Sequence, residues 1–260
     1  MLFKMSLISI ITINYNNADG LQKTIDSVTS QSFQDFEFIV IDGNSSDKSV
    51  DLIKQYPRIN EWVSEKDNGI YDAQNKGVLK AKGDYLLFLN SGDVLANNQV
   101  LQKVSSALFG GKSFYYGNLI LEKNSVKEKH NAPKEIDMDF ILNSTFWHPC
   151  VFIKSTLFTS FGLYNTTFKI VGDYEFFIRC LLKPNITTEY INEFITEFDG
   201  NGISNDASQN EIQTKERELA WKLNVSELVY DSLKKQNAFS RSKYASFINS
   251  LQKIRGKHNF

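Results

Sequence analysis

Hydrophobic positions fall in two alternating textures along the first hundred residues. Residues 7–13 read Leu-Ile-Ser-Ile-Ile-Thr-Ile, residues 36–41 read Phe-Glu-Phe-Ile-Val-Ile, and residues 85–89 read Tyr-Leu-Leu-Phe-Leu. Short β-branched and aromatic runs of this kind predict strands covered on both faces. A shorter run at 61–64 predicts a further strand. Between them, Leu21, Ile25 and Val28 share one helical stripe, and Val50 and Ile53 share another. Ser45 or Ser46 stands where a cap would start that second helix, which is expected to run to Tyr56. A third helix is expected from Ile70. Strand and helix alternate throughout, which predicts a parallel α/β sheet.

The texture loosens after Asp93. A helix is expected over 98–108, a strand over 114–121, and an exposed charged loop over 124–133. A strand over 150–153 follows Trp147-His148-Pro149. Helices are expected over 155–161 and 173–182, the second burying Phe176, Phe177 and Cys180, and then a strand over 186–195. Residues 199–204 read as a polar loop. From Glu211 the chain reads as helical to its end, with a break near Asn237.

Composition narrows the classes. The chain has 260 residues, is 42% hydrophobic and 13% aromatic, and carries a net charge of -1. It can bury a full core, and as a whole it is not an electrostatic nucleic-acid binder. Cys150 and Cys180 have no metal-type spacing, and His130, His148 and His258 are scattered, so no zinc site is legible. Isolated cysteines suit reduced thiols and a cytoplasmic location. No segment is long enough to span a bilayer, and the apolar run near the start is too short for a signal segment. From Ser232 onward there are lysines and arginines but no acids, while Tyr244, Phe247, Ile248, Leu251 and Ile254 share a face. Such a helix either lies on an anionic membrane surface, packs back on the domain, or meets a second copy.

Chemistry concentrates where strands end. In open α/β sheets ligands sit at the carboxyl ends of the strands. Asp93 closes the turn Asn90-Ser91-Gly92-Asp93 at such an end. A carboxylate there suits a hard divalent cation, or else simply finishes a polar turn. Asp42 ends the second strand in the same manner, within Asp42-Gly43-Asn44-Ser45-Ser46-Asp47.

The order Thr12-Ile13-Asn14-Tyr15-Asn16, the Asp42 segment, Gly69-Ile70-Tyr71-Asp72-Ala73-Gln74-Asn75-Lys76-Gly77 and Asn90-Ser91-Gly92-Asp93 resembles family 2 nucleotide-sugar glycosyltransferases, in the branch that builds bacterial surface polysaccharides. The resemblance implies a GT-A fold over 1–205. Its nucleotide-binding half would span about 6–95 and its acceptor-binding half about 96–205, with 206–260 a helical, basic C-terminal extension.

The resemblance also implies an inverting hexosyltransferase, moving a sugar from a UDP-sugar to a hydroxyl of a glycan or lipid-linked acceptor, at the inner face of the membrane. Thr12 and Asn14 would border the nucleotide. Asp42 would accept from a uracil N–H, or shape its loop as an Asx-turn residue. Asp67 would lie near base or ribose, or belong to a solvated charge cluster. Lys76 would touch phosphate, or decorate the helix.

Asp93 matches the position that contacts Mn²⁺ or Mg²⁺ directly. The usual second carboxylate of that motif is missing from this turn. Asp173, in Gly172-Asp173-Tyr174-Glu175, matches the catalytic base, or caps its helix, with Glu175 in reserve. His148 would donate to the diphosphate and Trp147 would face a sugar ring, or both belong to the core. The 199–204 loop would close over the donor, or be a surface turn.

A degenerate binding module is the alternative. A sugar nucleotidyltransferase is disfavoured because residues 14–19 lack glycine, lysine and arginine for a triphosphate loop.

Overall fold

The computed structural model describes residues 7–200 and 207–255, with the side chains of 207, 240, 241 and 244–255 outside the description. Four runs form the expected parallel array: β1 (Ile8–Asn14), β2 (Phe36–Asp42), β3 (Glu61–Ser64) and β4 (Tyr85–Phe88). They are ordered β3-β2-β1-β4, and the register sets Asn14 opposite Asp42 and Asp42 opposite Ser64. The polar ends of three strands therefore lie side by side. Helices α1 (Ala18–Thr29), α2 (Ser49–Gln55) and α3 (Ile70–Lys80) make the crossovers. Period-two alternation splits the core: Ile11, Ile39 and Ile41 pack on one face, and Ile10, Phe38 and Val40 on the other.

The second half adds the two-residue β5 (Val94–Leu95), α4 (Val100–Leu108), β6 (Phe114–Lys123), β7 (Val126–His130), α5 (Met138–Asn143), β8 (Val151–Lys154), α6 (Thr156–Phe161), α7 (Gly172–Leu181) and β9 (Thr188–Asp199). The sheet continues from β4 as β8-β6-β9-β5. β8 runs antiparallel to both β4 and β6, so the sheet is parallel through the first half and mixed beyond it. This is the mixed α/β, GT-A-like architecture that was expected.

Several local expectations are corrected. The charged segment 124–133 is not a loop but carries β7. Asn124 and Ser125 both have positive φ, 52° and 62°, the geometry of a tight hairpin turn, and β7 pairs with β6. Lys, Glu and His make β7 a polar edge strand with no apolar alternation to announce it. α2 starts at Ser49 rather than after Ser45 or Ser46. Asp47 accepts from the Ser49 amide at 2.9 Å, while Ser45 turns back to Asp42. β9 runs four residues past the expected end, to Asp199.

The helical break lies at Val225, between α8 (Asn210–Asn224) and α9 (Glu227–Arg255), and Asn237 is inside α9. Val225 is extended, with φ −138° and ψ 159°, and the Ser226 carbonyl opens the next helix by accepting from Tyr230 at 3.0 Å. α8 follows the boundary expected at 205, yet its Ala220 and Trp221 are buried in the core beside α7. The expected apolar face from Tyr244 to Ile254, and residues 201–204 of the expected loop, lie outside the described residues. Among the described residues no helix is long and apolar enough to cross a membrane.

Candidate active site

The loops after β1, β2 and β3 meet in one cleft. Asp42 is wholly buried at its floor. Its carboxylate accepts from Asn14 Nδ2 (2.8 Å), the Ser45 amide (2.9 Å), Ser45 Oγ (2.6 Å) and Ser64 Oγ (2.6 Å). Four donors on two oxygens satisfy a buried carboxylate nearly to capacity. Asn14 is held by the same cluster, with a second bond from Nδ2 to Ser45 Oγ at 3.2 Å. Thr12 is fully buried within β1, and its hydroxyl has no hydrogen-bond partner among the described residues.

Asp67 enters this cleft from the loop after β3. A Cβ on Gly43 would lie 2.9 Å from Asp67 Oδ2 and 3.2 Å from the Tyr15 ring, so the three loops meet at this glycine. Burial raises the Asp67 pKa, and the bond from Lys76 opposes it. Lys76 Nζ donates to Asp67 Oδ1 (2.6 Å) and the Lys66 carbonyl (2.9 Å), and pairs with Glu65 at 3.0 Å and Asp72 at 3.8 Å. Lys76 therefore ties down the Asp67 loop within an acidic cage.

Asp93 sits at the far side of the same edge and is 3% exposed. Among the described residues its carboxylate accepts from two backbone amides, Asn90 at 3.1 Å and Asp199 at 3.3 Å. Burial pushes its pKa up to about 7, the backbone bonds pull the other way, and the Asp199 charge adds to the rise. Gly92 has φ 113°, which an L side chain rarely adopts, and a Cβ there would lie 3.3 Å from Asp199 Oδ2.

Asp199 is the carboxylate that sequence reasoning did not place here. It arrives because β5 pairs with β9, Val94 opposite Glu197, while the Gly200 amide donates to the Glu122 carbonyl at 2.8 Å. A two-residue strand pairing across a hundred positions leaves no local trace in the sequence. Among the described residues no group of three metal-type side chains is assembled.

The opposite half supplies Asp173, in the first turn of α7. The N-cap residue Val171 has no side-chain bond to this helix, and Asp173 Oδ1 accepts from Tyr71 Oη of α3 at 2.9 Å. The same hydroxyl lies 2.6 Å from the Ile170 carbonyl. Burial, and then the Asp173 charge, hold the Tyr71 phenol far above its ordinary pKa, so it stays protonated.

His148 stacks on Phe88 with ring centroids 4.8 Å apart, and its Nε2 shares a hydrogen bond with Tyr164 Oη at 2.9 Å. Burial lowers its pKa and the charge of Asp173 opposes that fall. Trp147 lines a cavity of about 360 Å³ with Tyr116, Asn131, Phe140, Thr145 and Phe146. Glu175 is taken up by Arg179 Nη2 and Asn224 Nδ2, both at 3.0 Å. The sequence motifs gave no sign that Tyr71 and Tyr164 would frame Asp173 and His148.

The sheet that carries these strand-end carboxylates has a GT-A-like architecture. The Glycosyl transferase family 2 profile matches residues 9–169, and the chain belongs to that family. It is 31% identical over 209 residues to the PGL/p-HBAD biosynthesis glycosyltransferase of Mycobacterium tuberculosis, covering 76% of this chain and 79% of that protein. An uncharacterised glycosyltransferase of Haemophilus influenzae is 30% identical over 196 residues, covering 73% and 77%.

Among solved structures, S. aureus TarS 1-349 in complex with UDP-GlcNAc superposes with a TM-score of 0.61 at 16% identity, over 74% of this chain and 58% of that one. A Pyrobaculum calidifontis mannosyltransferase in complex with GDP-Man and Mn²⁺ superposes with a TM-score of 0.56 at 14% identity, over 75% and 57%. Another S. aureus TarS structure is matched over 36% of its length. The chain is thus a family 2 glycosyltransferase with the GT-A fold.

Proposed function

We propose that the chain transfers a sugar from a UDP-sugar, with inversion, to a hydroxyl of a glycan or lipid-linked acceptor in assembly of a bacterial surface polysaccharide. The observation that carries this reading is Asp93: a buried carboxylate at a strand end, its pKa raised to about 7, beside a second carboxylate. A buried acid so disposed is disfavoured as an anion until a cation joins it. The residues fit Mn²⁺ or Mg²⁺: Asp93 and Asp199 would hold the ion, with donor phosphates and water completing the shell. When bound, such an ion neutralises charge on the departing diphosphate.

The other steps belong to side chains. Asp42 braces the floor. Asp67, its Oδ1 fixed by Lys76, accepts from the base N–H or a ribose hydroxyl. The acceptor occupies the cavity beside Trp147, whose aromatic walls suit the apolar face of a sugar ring. Its hydroxyl oxygen attacks the anomeric carbon as the bond to the diphosphate oxygen breaks on the opposite face. The hydroxyl proton passes to Asp173, and one displacement inverts the centre. Tyr71 engages Oδ1, which leaves Oδ2 to take that proton.

Calorimetric titration with UDP, GDP, CDP and TDP, with and without Mn²⁺, tests the donor site in wild type and Asp93→Ala. UDP binding that needs Mn²⁺ and is lost in Asp93→Ala is the expected result. Absence of binding by every nucleotide under both conditions overturns the reading. Asp173→Asn should keep the UDP affinity and lose turnover about 10²–10⁴-fold.

A further inference from the structure

Helix α8 lies beyond the region matched by the family profile, yet one of its side chains grips the segment that leads into α7. Glu216 Oε1 accepts from the Lys169 amide at 2.7 Å, and Oε2 accepts from the amides of Ile170 at 3.0 Å and Val171 at 3.1 Å. These amides lie just before α7 and at its N-cap, Val171, so the chain's entry into the helix is fixed from outside it. A carboxylate taking three backbone donors fixes the peptide planes on both sides of Ile170.

The Ile170 carbonyl is the second acceptor facing Tyr71 Oη, at 2.6 Å against 2.9 Å to Asp173 Oδ1. A phenol has one hydrogen, so the two acceptors compete for it. Whatever holds the Ile170 carbonyl in place governs how much of that hydrogen reaches Asp173. A carboxylate oxygen that takes no hydrogen from Tyr71 has its lone pairs free for another donor.

We infer that Glu216 is a positioning residue for Asp173: by clamping the amides of 169–171 it holds the Ile170 carbonyl against Tyr71 and so leaves the Asp173 carboxylate open to the acceptor hydroxyl. This rests on the reading of Asp173 as the base. The clamp stands on a firm support. Trp221 of α8 is 1% exposed, its Nε1 donates to Tyr174 Oη at 2.8 Å, and its ring stacks on Tyr230. Arg217 lies 3.7 Å over the Tyr174 ring and donates to the Ser144 carbonyl at 2.8 Å, so α8 also braces one wall of the cavity.

The test measures kcat and donor KM for UDP release from a UDP-sugar in wild type, Glu216→Ala, Glu216→Gln, Tyr71→Phe, the Glu216→Ala/Tyr71→Phe double variant and Asp173→Asn. The inference expects Glu216→Ala to lower kcat about 10- to 100-fold with KM unchanged, as a small misplacement of a reacting group does. It expects that loss to shrink below about twofold on the Tyr71→Phe background, where no hydrogen is left to compete for. An equal loss on both backgrounds, or kcat within about twofold of wild type, overturns it while an inactive Asp173→Asn leaves the base reading standing.

Full activity in Asp173→Asn overturns the base reading and this inference with it. Should Glu216→Ala fail to fold, Glu216→Gln keeps the volume and one acceptor, and an intermediate loss is expected. Amide hydrogen exchange gives a readout independent of turnover. Residues 169–171 should exchange at least about tenfold faster in the Glu216 variants, and unchanged exchange there overturns the inference.

Discussion

Asp42 and Asp93 end parallel runs at the same edge of one sheet, and their surroundings are opposite. Asp42 accepts four bonds, three of them from side chains of its neighbours, and these nearly fill its acceptor capacity. Asp93 accepts from two backbone amides and is pressed against another acid. A strand-end aspartate is thus either a brace or a candidate ligand, according to the number of donors the fold brings to it. Burial alone does not distinguish them, since both are almost inaccessible.

The largest effect should come from Asp93→Ala. Turnover of a UDP-sugar with Mn²⁺ is expected to fall at least about a thousandfold, while the metal-free melting temperature holds or rises. A lowered melting temperature with Mn²⁺ affinity intact would make Asp93 a brace like Asp42. Next, Asp42→Ala strands Asn14, Ser45 and Ser64 in a buried site, and should cost about 3 kcal/mol in denaturant unfolding. Loss of nucleotide binding without loss of stability would instead make Asp42 a contact to the base.

A pH dependence separates the two acids further. Asp93 has a folded pKa of about 7 against 3.8 for the free group, so the fold binds a proton the unfolded chain has already released. Its contribution to stability is therefore greatest below about pH 4 and is lost as pH rises towards 7, by on the order of 4 kcal/mol. Melting curves of metal-free wild type from pH 4 to 8 should show this slope relative to Asp93→Asn, and Mn²⁺ should flatten it. The smallest effect is expected of Asp199→Ala. Weakening of Mn²⁺ by about tenfold in the presence of UDP, with unfolding unchanged, would show that β9 supplies the second carboxylate. Unchanged affinity would leave the cation to Asp93 and the donor phosphates.

The strands and helices of the first half were legible because each carries its own period. Apolar runs such as Leu86-Leu87-Phe88 and stripes such as Leu21-Ile25-Val28 depend on residues a few positions apart. Strand ends then pointed to Asn14, Asp42 and Asp93, since a parallel sheet lines its termini along one edge. Residues 124–133 escaped because a polar edge strand has no buried face to write an alternation. The break expected at Asn237 was misplaced because a single asparagine is a weak stop inside a long helix, whereas Val225-Ser226 combines an extended residue with a helix-opening serine.

What the sequence by itself determined is the strands and helices of the first half, their parallel sense, and the strand-end acids. What only the tertiary structure decided is which acid faces which donor. Asp199 reaches Asp93 through a two-residue strand, Tyr71 reaches Asp173 across 102 positions, and Glu216 reaches the 169–171 amides from a helix beyond them. Local pattern is governed by burial of one face, which repeats every two or 3.6 residues. Hydrogen-bond partnership has no period, because it depends on angle and distance between groups that only the folded chain brings together.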